Sequence, residues 1–133
     1  MLHFLDSFLT GFHLSFVLFV LVGWYWQKTR SYHKWALLLT TAAWLLVGWY
    51  VGTIGYCPLT DWHWDIKRTL GEKNIPSSFI EYLLEKWTNI DFNKKLVDTF
   101  TALGLVFGVT MAIIKEVNAR ILNNANSKER LTI

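Results

Sequence analysis

The stretch Phe8 to Trp26 reads FLTGFHLSFVLFVLVGWYW, nineteen residues without a formal charge. At about 1.5 Å per residue a helix of that length covers roughly 28 Å, close to the hydrocarbon thickness of a bilayer. This run decides the fold class. Trp35 to Tyr56 supplies twenty-two further uncharged residues. Thr99 to Ile114 supplies sixteen, extended in front by Leu96 and Val97, with Asp98 in the first turn. Apolar residues continue past Lys115 through Val117, Ile121 and Leu122, so Lys115 can snorkel to the interface. Two long uncharged runs in one short chain argue against a buried bundle in water. The sequence therefore predicts an all-α membrane protein with three transmembrane helices, over about 8–26, 35–56 and 96–117. Residues 1–122 form a single domain and 123–133 a flexible polar tail.

The first run is not read as a cleaved signal. Met1 to Ser7 contains Asp6 and no Lys or Arg, and no small-residue cleavage site follows the apolar stretch. Composition agrees with a membrane chain. Of the 133 residues, 53% are hydrophobic and only 17% charged, against about 25% charged in an ordinary soluble domain. One cysteine cannot form an internal disulfide. The net charge of +3 comes from basic residues spread along the chain, which does not point to nucleic acid. Trp24, Tyr25, Trp26 and Trp35, with Trp49, Tyr50 and Tyr56, mark the span ends, where amphipathic rings favour the headgroup level. His3 and His33 read as interfacial.

Lys28, Arg30 and Lys34 crowd a connection of eight residues that holds no acid. With Lys115, Arg120, Lys128 and Arg130 they put seven basic residues on one face, against six on the other. The dense short loop tips the orientation. Residues 27–34 and the C-terminus are expected to be cytoplasmic, and the N-terminus and 57–95 periplasmic, in a bacterial inner membrane.

Residues 57–95 are too patterned for a disordered loop. Pro58 is expected to stop the second span and Thr60 to cap a short helix, with Trp62, Ile66 and Leu70 on its apolar side and Gly71 at its end. Ser78-Phe-Ile-Glu81 reads as a capping box. It opens an amphipathic interfacial helix with Phe79, Ile80, Leu83, Leu84, Trp87 and Ile90 on one face, and Glu81, Glu85 and Lys86 mostly on the other. Asp91 is the expected N-cap of the third span. Gly48 with Gly52, and Gly104 with Gly108, are i, i+4 glycine pairs that let helices approach closely in lipid. They predict a contact between spans two and three, with a homodimer seam as the alternative.

Four residues suited to metals or protons fall at similar depth near one face: His13, Cys57, His63 and Asp98. Together they form a candidate polar cluster able to hold copper or zinc, or to give two histidines to a haem. No tight ligand spacing accompanies them, and each has a plain structural use, so the sequence favours no cofactor and no catalytic residue. There is no nucleophile elbow, P-loop or dinucleotide fingerprint.

At Cys57-Pro-Leu-Thr60 the chain resembles a bacterial family of small integral membrane proteins, domain of unknown function twenty-seven eighty-four. The pattern is His13 in the first span, Cys57-Pro58-Leu59-Thr60 after the second, then Lys67, Arg68 and Gly71, then Phe79-Ile80-Glu81-Tyr82 and a last span, over roughly 8–117. The family's usual Glu is His63 here, a departure that cuts against His63 as an essential ligand. The resemblance implies a polytopic bacterial inner-membrane protein and supplies no activity. Three functional readings follow. The leading one is a non-enzymatic accessory subunit or small homo-oligomer, partnered by membrane lipid and by other membrane subunits or itself. The second is a redox protein using His13, Cys57 and His63. The third is an enzyme or carrier for lipids or a small hydrophobic molecule.

Overall fold

The computed structural model describes residues 1–52 and 55–131, with side chains through Ser127. Residues 53 and 54 of the expected second span, and the side chains of Lys128 and Arg130 counted in the charge balance, lie outside the described residues. The elements are α1 (Leu2–Val22), a 3-10 turn (Gln27–Thr29), α2 (Arg30–Ala42), a π segment (Ala43–Val47), α3 (Gly48–Val51), α4 (Pro58–Thr69), α5 (Phe79–Thr88) and α6 (Lys94–Leu131). No strand occurs among the described residues. Leu2–Val22, Gln27–Val51 and Lys94–Ser127 are long and apolar enough to cross a bilayer. The protein is an all-α, multi-pass membrane protein, as the uncharged runs predict. A helical cap, α4 and α5, joins spans two and three.

Several boundaries differ from the sequence reading. α1 begins at Leu2, six residues before the uncharged run, so Asp6 and Thr10 lie on it. It stops at Val22, and Trp24–Trp26 form the turn beyond. That turn closes the helix completely. The last four carbonyls of a helix lack partners within it beyond the final turn. Here Gly23 N–H donates to Phe19 O (2.8 Å), His33 Nε2 to Val20 O (2.9 Å), Trp24 Nε1 to Leu21 O (2.8 Å) and Tyr25 N–H to Val22 O (3.0 Å). His33 is therefore a buried capping residue. In the same way α6 continues to Leu131, through the segment expected as a tail.

The cap begins earlier than expected. Helix two has already ended at Gly52, whose φ of +79° suits a residue without Cβ. Pro58 then starts α4 instead of stopping a span, at the first helical position where its missing N–H costs nothing. Cys57 is the N-cap and Thr60 lies inside the helix, buried. Gly71, at φ +88°, ends the helix as its spacing predicts. At α6 the cap is Asn93, whose Oδ1 accepts from Lys95 N–H at 3.0 Å, in place of Asp91. Ser78 does precede α5, but its side chain makes no cap bond.

The three spans meet at a narrow waist. Lys34 pairs with Glu116, and Leu37 lies against Gly108, so α2 and α6 run antiparallel, and α6 shares the direction of α1. A Cβ on Gly108 would sit 2.7 Å from Val20 O and 3.4 Å from Leu37 Cδ2; on Gly104 it would sit 3.1 Å from Leu21 Cδ2. This glycine pair does permit close approach, but to α1, not to the glycines of span two. The reason is depth. Leu37 faces Gly108, and Gly48 lies eleven residues further along, about 16 Å up the axis. Gly48 is buried, while Gly52 is exposed and no described atom lies within 4 Å of its would-be Cβ. Val20, Ala36 and Leu37 form the buried centre of the waist, with Phe16, Phe19, Leu105, Val109 and Ala112 against it.

Candidate functional site

At the other end of the bundle α4 lies along the first half of α1, and α5 covers them. The join is charged. Lys67, without accessible surface, puts Nζ 2.8 Å from Asp6 Oδ1 and 3.0 Å from Glu72 Oε1. Its ammonium also lies 4.5 Å from the centroid of the Tyr82 ring, a cation–π distance. His63, one turn before Lys67, is equally buried and donates from Nε2 to the same Asp6 Oδ1 at 2.7 Å. A carboxylate only accepts, so the proton of neutral His63 is on Nε2. Thr10 Oγ1 lies 3.4 Å from that nitrogen and donates to its own helix at Asp6 O (2.9 Å). Outward, Tyr82 Oη donates to Glu72 Oε2 at 3.4 Å and accepts from Lys86 Nζ at 2.9 Å. Two carboxylates thus face two ammonium groups, and the network is neutral overall.

The electrostatics follow from this geometry. Burial pushes the Lys67 ammonium down, but hydrogen bonds to Asp6, Tyr82 and Glu72 outweigh it and hold its pKa above the ordinary lysine value. Burial also pushes the His63 imidazole down. The bond to Asp6 and that carboxylate's charge recover only part, so His63 stays below its ordinary 6.5. Glu81 is raised by burial and by the neighbouring charges of Glu85 and Asp98.

The four candidate residues separate into three places. His13 and His63 both lie against Phe79. The His13 ring stacks flat on Phe79, 4.0 Å between centroids and 6° between planes, and His63 lies 6.2 Å from the same ring. Trp64 and Tyr82 complete this aromatic core. Asp98 is exposed on α6, close enough to Glu81 to act on its charge. Cys57 is half-buried at the start of α4. Among the described residues no group of three or more His, Cys, Asp and Glu side chains is placed to hold a metal ion. His13 Nδ1 and His63 Nδ1 are buried without hydrogen-bond partners, as are Trp64 Nε1 and Glu81 Oε2.

Asp6, Lys67, Glu72 and Tyr82 are the members that spacing did not pick out. Two signals point to them. His63 and Lys67 are i, i+4, so one helix face presents both. Asp6 is a carboxylate at the edge of an apolar run, where an unpaired charge is costly. Starting the span at Phe8 hid that pairing. The apolar side of α4 includes Ile66 as expected, but Trp62 is 57% exposed and Trp64 4%, because the helix packs through Thr60, His63, Trp64, Ile66 and Lys67. On α5, Glu81 is buried and Trp87 exposed, and Ile90, expected on the same face, lies exposed beyond the helix end.

The family described as "Protein of Unknown function (DUF2784)" matches residues 3–117, and the chain belongs to it. No curated protein and no solved structure matches the chain.

Proposed function

We propose that this member of the family works as a non-enzymatic membrane protein, an accessory subunit or small homo-oligomer, whose cap is held rigidly for contact with a neighbour. The observation that carries this reading is the state of Lys67. A buried lysine that served as a base or nucleophile would be held free of acids, with its pKa lowered. Here the ammonium is spent on Asp6, Glu72 and Tyr82. His63 likewise gives its one proton to Asp6. Such a network fixes one arrangement of the cap on α1. A contact face is available on α1 itself, where the exposed rings of Phe8 and Phe12 stack at i, i+4 with centroids 6.2 Å apart and Phe12 rests in turn on Phe16 of the waist. Rings already ordered lose little entropy when a partner covers them.

The mass of the particle tests the reading. Extracted with its surrounding lipid by an amphipathic copolymer, the protein is expected as a complex heavier than one 15.5 kDa chain. Replacing Phe8 and Phe12 by Ala should shift it toward the single chain. A single chain from native membranes at native expression would refute the proposal.

The same reading places the protein in a bacterial inner membrane, with the cap in the periplasm and residues 27–34 in the cytoplasm. The support is the positive-inside asymmetry of Lys28, Arg30 and Lys34 in one short connection. Cys57, the sole thiol, tests it. A membrane-impermeant maleimide should label Cys57 in spheroplasts, directly or after mild detergent. Labelling only in inverted vesicles would reverse the orientation.

A further inference from the structure

The end of the bundle away from the cap carries a second feature, distinct from the charged join. Between α2 and α6 a groove of about 620 Å³ opens sideways toward the membrane. Its walls are apolar, with Leu38, Ala42, Leu45 and Leu46 on one side and Ile113 and Val117 on the other. Only its mouth is charged, by Lys34, Glu116 and Arg120. From Leu37 to Leu46 the apolar wall runs about 14 Å, at 1.5 Å per residue. One leaflet of a hydrocarbon core of about 30 Å is about 15 Å deep. The groove therefore has the length of one leaflet, half of what a crossing helix from a partner would occupy.

The mouth selects the headgroup. Lys34 and Arg120 both bond Glu116, at 3.0 and 3.2 Å, which leaves one positive charge in excess. Lys28, Arg30 and Lys115 lie at the same end of the bundle. Five cations stand there against one carboxylate among the described side chains of 23–34 and 115–120. Basic pockets between transmembrane helices suit anionic headgroups. The π segment Ala43–Val47 lies at the groove's deep end, and Leu45 and Leu46 belong to it. An extra residue per turn there re-aims both side chains, and such segments recur at binding sites. We infer that this groove binds one anionic phospholipid, an acyl chain lying along α2 and α6 and the phosphate between Lys34 and Arg120.

The test uses the full chain, in nanodiscs of equal parts phosphatidylglycerol and phosphatidylcholine, released into the gas phase for native mass spectrometry. One phosphatidylglycerol should stay bound, preferred over phosphatidylcholine by about fivefold, the size expected for one surplus cation near a phosphate. Lys34→Gln with Arg120→Gln should bring the two lipids to parity. Glu116→Gln should raise the preference about fivefold further by unmasking both cations. That opposite movement separates headgroup recognition from loss of folding. Ala42→Phe, filling the groove, should release either lipid, with the melting temperature read in parallel. Equal retention of both lipids by the native chain, or no change in Glu116→Gln, would overturn the inference. So would lipid retained by a folded Ala42→Phe protein, or disulfide cross-links between two copies through cysteines placed at Leu38 and Ile113 in a Cys57→Ser background.

Discussion

The cap join and the waist both hold helices to α1, by opposite means. At the join, Asp6 draws in Lys67 and His63, and the bonds are short and charged. At the waist, Gly108 lets α6 reach the backbone of α1 at Val20, and His33 of α2 donates to that same carbonyl. The difference follows from the medium. Lipid tails are as apolar as leucine, so burying leucine drives little association inside the bilayer and close packing must do it. At the edge of the membrane an ion pair can be assembled from water, and its value lies in fixing one geometry.

The largest effect should come from cutting the join at its centre. Lys67→Met leaves Asp6 and Glu72 facing each other without their cation. Removing one partner of a buried ionic network costs about 3–5 kcal/mol. The cap is expected to detach while the spans persist, seen as rapid amide exchange in α4 and α5 and slow exchange in α1 and α6. Adding Asp6→Asn should recover part of the loss, since the pair interact directly. An unchanged cap in Lys67→Met would mean that the aromatic core alone holds it.

The waist should respond less. Gly108→Leu puts a Cβ 2.7 Å from Val20 O, a backbone atom that cannot swing aside. Overpacking of this kind costs about 1–3 kcal/mol. Gly104→Leu meets only the flexible end of Leu21 and should cost less. The ordering can be read from melting temperatures in detergent. Equal effects at the two sites would show that α6 slides to relieve the clash.

How far the sequence foretold each region also divides along this line. Uncharged length fixes the three spans, because the bilayer imposes it. The glycine pair of α6 is readable as a close-packing face, but its partner is not, since depth depends on where each helix starts and Leu2 and Lys94 both precede the uncharged runs. The join is harder still. Its members are up to 76 positions apart in chain order, from Asp6 to Tyr82, and amphipathic periodicity treats Lys67 as a solvent-facing residue. Its pairing with Asp6 and Glu72, beside the Tyr82 ring, lets it turn inward. Likewise His33 reads as a polar residue near a span end, and nothing local reveals the free carbonyl of Val20 that accepts its hydrogen bond. His13 and His63 do come to one place, against the ring of Phe79, a residue whose helix the sequence left either on the membrane surface or folded back over the bundle mouth.

The smallest expected effect concerns acid. Burial holds His63 below its ordinary 6.5, with Asp6 opposing and Lys67 adding to the depression. A cap that opens returns the ring to water and to that ordinary value. The open state then binds more protons than the closed one below about pH 6.5. Cap stability is therefore complete above that pH and declines as the pH falls toward the depressed value. The charged and titratable groups around His63 are Asp6 on α1, Lys67 on α4, and His13 on α1, which also lies against Phe79. Amide exchange in α4 and α5 should accelerate between pH 7 and 5, corrected for intrinsic rates. In His63→Gln the slope should vanish, because a side-chain amide keeps a donor for Asp6 but does not titrate. If the slope survives that substitution, His13 is the titrating group. A cap that tightens in acid would mean that the Asp6 carboxylate, and not burial, governs the ring.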